Sequence, residues 1–196
     1  MKILKSNLNI IFGKEIFLNE KFDEITIDIS TKNYIYICEI LRTEKKLCFD
    51  ICIDLCCIDY IYWQNDKNAV KNYKFIKSRF ALVIHLLSTI HNERLRVRTW
   101  LENENIPIIP TLINCWPSVN WFEREAFDLY GIIFDGHTDL RRILTDYGFI
   151  GNPFRKDFNI SGNNEMRYDY KQNRVIYQPI TIKRREIIPR IIRRKS

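Results

Sequence analysis

RFALVIHLLSTIHNERLRVRTWLE, Arg79 to Glu102, sets two runs rich in β-branched and apolar residues on either side of the polar HNE at residues 91–93. Apolar runs of this length around a short polar break read as a β-hairpin. Working toward the N-terminus, LCFDICIDLCCIDYIYW alternates: Leu47, Phe49, Ile51, Ile53, Leu55 and Cys57 face one way, and Cys48, Asp50, Cys52, Asp54 and Cys56 the other. That is a strand pattern, although its first residues also suit a turn. EITIDI, residues 24–29, alternates as a shorter strand. Ser30 and Thr31 then offer N-caps to a helix through YIYICEILRTEKK, with Ile35, Cys38 and Leu41 near helical spacing. QNDKNAVKN is polar and aperiodic, hence a loop. Strand, helix, strand and hairpin, without regular βαβ alternation, predict an α+β fold with a mainly antiparallel sheet packed with helices.

Beyond the hairpin, Pro107 and Pro110 of IPIIP cannot donate ladder bonds and are expected to end the sheet. TLINCW suits a short helix before Pro117. Asn120 to Tyr130 is a firmer helix, with Asn120 as cap, Glu123 at the capping-box position and Gly131 as its left-handed stop. From Gly131 onward turn residues recur with little sustained period, yet aromatics and isoleucines persist. So long a stretch with few core signals is expected to gain order by lying on another surface. The expected organisation is an N-terminal segment (1–20), an α+β domain (21–131) and a long extended C-terminal arm (132–196).

The formal net charge of +7 favours an acidic partner, and much of the surplus sits in KRREIIPRIIRRKS at the end. That tail lacks the interleaved aromatics of single-strand nucleic-acid sites. No apolar run approaches the roughly 20 residues that cross a bilayer. The N-terminus lacks the features of secretory and transit peptides, so the chain is expected to work where it is made. The six cysteines, Cys38, Cys48, Cys52, Cys56, Cys57 and Cys115, are read as reduced thiols. Their spacing lacks the tight Cys-x-x-Cys turns of zinc and iron-sulfur sites. His85, His91 and His137 show no two-ligand spacing. His137 suits either a base oriented by Asp139 or a structural hydrogen bond at a turn. No phosphate-binding glycine loop or nucleophile elbow is present.

On a helical wheel Phe122, Ala126, Leu129 and Tyr130 form the core arc, with Trp121, Arg124, Glu125 and Asp128 opposite. Arg124 and Asp128 stand four apart and can pair along the helix. An aromatic anchor ringed by charges reads as a protein interface, a solvated surface being the plainer alternative. A catalytic use of Glu123 and Glu125 is disfavoured, because a neighbouring arginine tends to keep both ionised.

NWFEREAFDLYGIIFDGHTDLRRILTDYGFIGNPFRKDF, Asn120 to Phe158, resembles the signature of the 30-kilodalton subunit family of respiratory complex I, known as subunit 9 in mitochondria and as the C subunit in bacteria. The resemblance continues through Ser161-Gly162, Glu165-Met166-Arg167-Tyr168-Asp169 and Gln178-Pro179, and more loosely at Asp59-Tyr60 and RFALVIHLLS. Thr138 and Asn159 stand where the family usually has proline, Asn152 for histidine and Gln178 for glutamate. Thr138 and Asn152 speak against a required His-Pro chemistry.

The resemblance implies a core, non-redox subunit of the hydrophilic arm of proton-pumping NADH:ubiquinone oxidoreductase. It implies no cofactor bound by this chain, with FMN and iron-sulfur clusters in other subunits. Its expected partners are the 49-kilodalton quinone-module subunit and neighbouring iron-sulfur subunits, with membrane association only through the complex, no nucleic acid and no homo-oligomer. AT-rich codon bias and the absent transit peptide suggest an organelle-encoded copy on the matrix side of the mitochondrial inner membrane. No catalytic, cofactor or metal residue is expected here. The expected partner interface comprises Trp121, Arg124, Glu125, Asp128, His137, Asp139, Arg141, Arg142, Asp146, Tyr147, Arg155, Lys156, Asp157, Glu165 and Arg167. From other classes, a basic RNA-binding or ribosome-associated protein and a hydrolase centred on Glu123 and Glu125 are the alternatives.

Overall fold

The computed structural model describes residues 2–65, 78–159, 161–162 and 164–181. The hairpin forms as expected: β4 (Phe80–Ser88) and β5 (Glu93–Trp100) pair antiparallel with Ser88 opposite Glu93. Asn92 takes a left-handed φ of 51° in the turn, a conformation asparagine tolerates better than most residues.

Around this hairpin a five-stranded sheet assembles in the order β1-β2-β5-β4-β3, with β1 at Phe17–Lys21, β2 at Glu24–Ile29 and β3 at Ile51–Asp59. Within it, among the described strands, only the β2–β5 pairing is parallel, so the expected α+β fold with a mainly antiparallel sheet is the one observed. The sheet's core face holds Ile25, Ile27, Leu82, Ile84, Leu86, Leu95 and Val97, all buried.

β3 departs from strict alternation. Its register with β4 slips between Cys52 and Asp54, a bulge at Ile53, and one extra residue reverses which side chains point inward. Cys52, Leu55 and Cys57 are therefore buried together, while Ile51 and Ile53 are exposed. Leu47 and Phe49 are buried too, but from a turn in which Cys48 has φ 44°.

α1 (Lys2–Phe12) buries Leu4, Leu8 and Phe12, spaced four apart on one face. Burying three such side chains is worth roughly 5–9 kcal/mol before ordering costs, so this segment belongs to the domain. α2 (Tyr34–Thr43) follows a 3-10 turn at Thr31–Asn33, whose first N–H groups Ser30 caps by accepting from Lys32 N–H. It buries Tyr34, Ile37, Cys38 and Leu41, and leaves Ile35 outward. α3 (Ile61–Asn65) takes up the start of the expected polar loop, whose residues 66–72 lie outside the described residues.

IPIIP leaves the large sheet as expected, but β6 (Ile108–Pro110) pairs in parallel with β7 (Ile133–Asp135). TLINCW forms a single turn, with Cys115 and Trp116 N–H both donating to Leu112 O. Between these strands runs α4 (Val119–Tyr130), which packs against β3 and ends at Gly131 with φ 75°.

The first compact unit spans Met1–Lys156. The boundaries expected at residues 20 and 131 both fall inside it, because α1 supplies core side chains and the segment after Gly131 is hydrogen-bonded to α4. The second unit, Asp157–Ser196, contains the antiparallel hairpin β8 (Asn164–Asp169) and β9 (Arg174–Pro179). The basic stretch KRREIIPRIIRRKS lies outside the described residues.

Candidate functional site

α4 is amphipathic in an unexpected sense, because two of its acids point inward. Glu123 is fully buried: Oε1 accepts from Leu112 N–H at 2.7 Å and Oε2 from the Thr111 hydroxyl at 2.5 Å. It is therefore not a capping-box residue, and the helix N-cap is Ser118, without a side-chain cap bond. Burial pushes its carboxyl up to about 7, against the two donors that favour the ionised form. Glu125 is exposed, so the two glutamates share no cleft and the acid/base pairing is absent.

Asp128 is also fully buried, not on an outer charged arc. Oδ2 accepts from the backbone N–H groups of Ile143, Leu144 and Thr145 at 3.1, 2.8 and 2.9 Å. Oδ1 takes the Thr145 hydroxyl at 2.5 Å and Arg142 at 2.9 Å. Burial works to raise this carboxyl, but the Thr145 hydroxyl and the backbone donors outweigh it and hold it at about 2. The expected pairing of Asp128 with Arg124 gives way to this nest, and Arg124 instead donates to Arg141 O at 3.2 Å and lies 3.9 Å from Asp139.

The chain from Asp139 to Lys156 thus forms a strap over the end of α4, and it also satisfies the helix's last carbonyls. Asn152 donates to Asp128 O at 3.0 Å, Phe154 N–H to Leu129 O at 3.0 Å, and Arg155 to Tyr130 O at 2.6 Å. A helix C-terminus exposes such unpaired carbonyls and favours a cation there, which Arg155 supplies. Arg142 ties the strap to itself through Gly151 O at 2.9 Å. At the far end, Asp59 accepts from Lys156 N–H at 3.0 Å while holding Arg79 in a two-pronged buried pair at 3.0 and 2.8 Å.

A strap anchored by two buried carboxylates presents its outer side chains rigidly. Tyr147 is wholly exposed, and Ile150, Trp121 and Leu144 are 89%, 70% and 61% exposed. Phe154 is half exposed and meets Tyr130 edge-on at 5.8 Å. Asp146 and Lys156 are exposed on the same segment, and Arg141 pairs with Asp139 at 2.8 Å in solvent. Exposed apolar and aromatic side chains interspersed with charges are the composition of a protein-binding surface.

Of the expected interface residues, Trp121, Glu125, Asp139, Arg141, Asp146, Tyr147 and Lys156 lie on the outside of the first unit. Asp128, Arg142 and Arg155 brace the strap from within, and His137 is enclosed, donating to Asn120 O at 3.2 Å and accepting from Asp139 N–H at 3.0 Å. Asp139 thus orients the ring through its backbone, in the turn reading of DGHTDL. In the second unit Asp157 and Arg167 are exposed, and Glu165 accepts from Gln178 and Thr181. Sequence reasoning missed Leu144, Ile150 and Phe154, whose apolar character signals core unless the strap's path is known. It also missed the Asp59–Arg79 pair, 20 residues apart. Among the described residues no cluster of His, Cys, Asp or Glu has the arrangement of a metal site.

Residues 27–164, which carry α4, the Asp128 nest and the strap, match the family described as "Respiratory-chain NADH dehydrogenase, 30 Kd subunit". The chain is 54% identical to the C subunit of NADH-quinone oxidoreductase from Bordetella pertussis, over 100% of this chain and 95% of that protein. It is 49% identical to the same subunit from Paraburkholderia xenovorans, over 98% and 94%. Among solved structures it resembles "Nqo5 of the trypsin-resistant fragment (1-134)", with a TM-score of 0.57 and 26% identity, covering 70% of this chain and 99% of that one. With β3, β4 and β5 of its sheet, its α4 and the strap after it inside the matched region, this chain belongs to the family of the 30-kilodalton subunit of respiratory-chain NADH dehydrogenase.

Proposed function

We propose that this chain is a docking subunit of NADH:quinone oxidoreductase, complex I, in which it holds neighbouring subunits in place and carries no electron itself. The observation that carries this reading is the strap: Leu144, Tyr147 and Ile150 face solvent from a segment locked by the buried Asp128. A monomer gains nothing by fixing apolar side chains outward, whereas an interface gains affinity from anchors ordered in advance. Electron transfer from NADH to quinone belongs to the assembled complex, with flavin and iron-sulfur clusters in other subunits. The 49-kilodalton quinone-module subunit is the partner proposed for the strap and the residues beyond it, on the strength of the family resemblance.

Among the described residues no helix is long and apolar enough to cross a membrane, which fits attachment through the complex. The Bordetella and Paraburkholderia relatives are bacterial, and the mitochondrial, organelle-encoded origin draws on features of the sequence such as its AT-rich bias, not on these relatives. The RNA-binding alternative draws on the basic tail, and neither relative points that way.

The test replaces the native copy with Tyr147→Ala/Ile150→Ser and isolates the complex from gently solubilised membranes. Assembled complex and NADH:quinone activity should fall together while the isolated variant melts like the parent chain. Absence of the parent chain from that complex, or full assembly with lost turnover, would overturn the reading.

A further inference from the structure

α3 is five residues long, yet it turns two large aromatic side chains toward solvent: Tyr62 is 64% exposed and Trp63 47%. Neither joins the hydrophobic core. One carboxylate sets where this helix stands. Asp59 Oδ1 accepts from Ile61 N–H at 3.1 Å, at the first residue of α3, while Oδ2 accepts from Lys156 N–H at the end of the strap. Arg79 takes both oxygens as well, so the buried carboxylate has no freedom to turn.

A second bond closes the link. The Tyr62 hydroxyl donates to Lys156 O at 2.9 Å. Lys156 is thus held at its N–H by Asp59 and at its carbonyl by Tyr62, and anchoring both flanking peptide planes leaves its backbone little play. Arg155 adds a third contact, because its guanidinium lies over the Phe80 ring at 5.3 Å, the ring that Arg79 covers at 4.7 Å. The Tyr62 ring therefore meets the strap two residues beyond the half-exposed Phe154.

We propose that the docking surface crosses Lys156 onto α3, and that Tyr62 and Trp63 bind the same neighbouring subunit as Tyr147 and Ile150. This inference rests on the docking reading. Continuity names the occupant: α3 and the end of the strap are tied to one carboxylate, so a subunit seated on Phe154 arrives against Tyr62. Tyrosine and tryptophan are the residue types that most often carry binding energy, and a pair ordered in advance loses little freedom on binding. The partner's chemistry follows from the bonds already made. The Tyr62 hydroxyl hydrogen is given to Lys156, which leaves its oxygen to accept from an N–H or O–H donor, and the Trp63 indole calls for an apolar hollow beside that donor.

The test uses the assembled complex. Photo-reactive benzoylphenylalanine replaces Trp63 in one preparation and Tyr147 in another, and the captured subunits are identified by mass. Both positions should capture the same subunit. Trp63→Ala, co-expressed with the parent chain, should enter the complex at least tenfold less than its share of the free pool predicts, while the isolated variant melts like the parent. Should that variant not fold, Tyr62→Phe keeps the ring and removes the bond to Lys156, and its share should fall roughly two- to tenfold. A different subunit or none captured at position 63, while position 147 captures one, would overturn this inference and leave the docking reading standing. So would entry of both variants in proportion to the free pool. No capture at position 147 would sink the docking reading and this inference with it.

Discussion

Thr145 binds Asp128 twice, through its backbone N–H at 2.9 Å to Oδ2 and its hydroxyl at 2.5 Å to Oδ1. The two residues are 17 apart, and the contact turns the segment beyond Gly131 from an extension into part of the first unit. An anion satisfied by consecutive N–H groups and an arginine is a strong brace, because each donor would otherwise be left unpaired against the helix.

Asp128→Asn should therefore cost about 2–4 kcal/mol, because the amide sets its own N–H against donors already in place. Denaturant unfolding of the full chain measures it. Amide exchange in residues 141–151 should rise well beyond the global change.

The same carboxylate sets an acid limit. Its value is lowered from 3.8 to about 2, so its contribution is present above the unfolded value and is lost as pH falls through about 2. The stake is about 2 kcal/mol. The stability difference between the parent and Asp128→Asn should shrink over that window, and a constant difference would show that the charge is irrelevant.

Glu123 acts in the opposite direction. Its value is raised from 4.5 to about 7, so the stability favouring the protonated form is full below 4.5 and is lost as pH rises through 7. The expected loss is about 3 kcal/mol. Glu123→Gln, which stays neutral, should flatten this part of the stability curve measured by chemical denaturation.

Gly131→Ala should be damaging for two reasons that add. The residue sits at φ 75°, and a Cβ there would come within 2.7 Å of Asn152 Oδ1 and 2.8 Å of an Arg155 nitrogen. The left-handed conformation alone costs an alanine roughly 1 kcal/mol. Displacing Asn152 and Arg155 also uncaps α4. The melting temperature should drop by several degrees, and a neutral result would mean the strap has room to move.

Arg124→Ala tests a largely covered guanidinium at the edge of the strap. It donates to Arg141 O and lies 3.9 Å from Asp139, so losing that hydrogen bond should lower folded stability by about 1–2 kcal/mol. The amount of assembled complex in membranes should fall much further. A loss of stability as large as the loss of assembly would make Arg124 a brace rather than a contact.

The sequence alone determined the hairpin at residues 79–102, the left-handed stop at Gly131, the class of fold and, through Asn120 to Phe158, the family. These are local or patterned features: two-residue alternation, a glycine where only glycine is comfortable, and a long run of matched motif. It did not determine the insides of α4. A helical wheel sends acids outward because burial of a charge is costly by default, and the exceptions at Glu123 and Asp128 depend on donors at residues 111–112 and 142–145, which only the folded chain brings near. The bulge at Ile53 similarly reversed β3, since one added residue leaves composition unchanged but swaps the faces. The tertiary structure thus decided which charges hold the strap and which side chains it offers, because both follow from where distant backbone N–H groups converge.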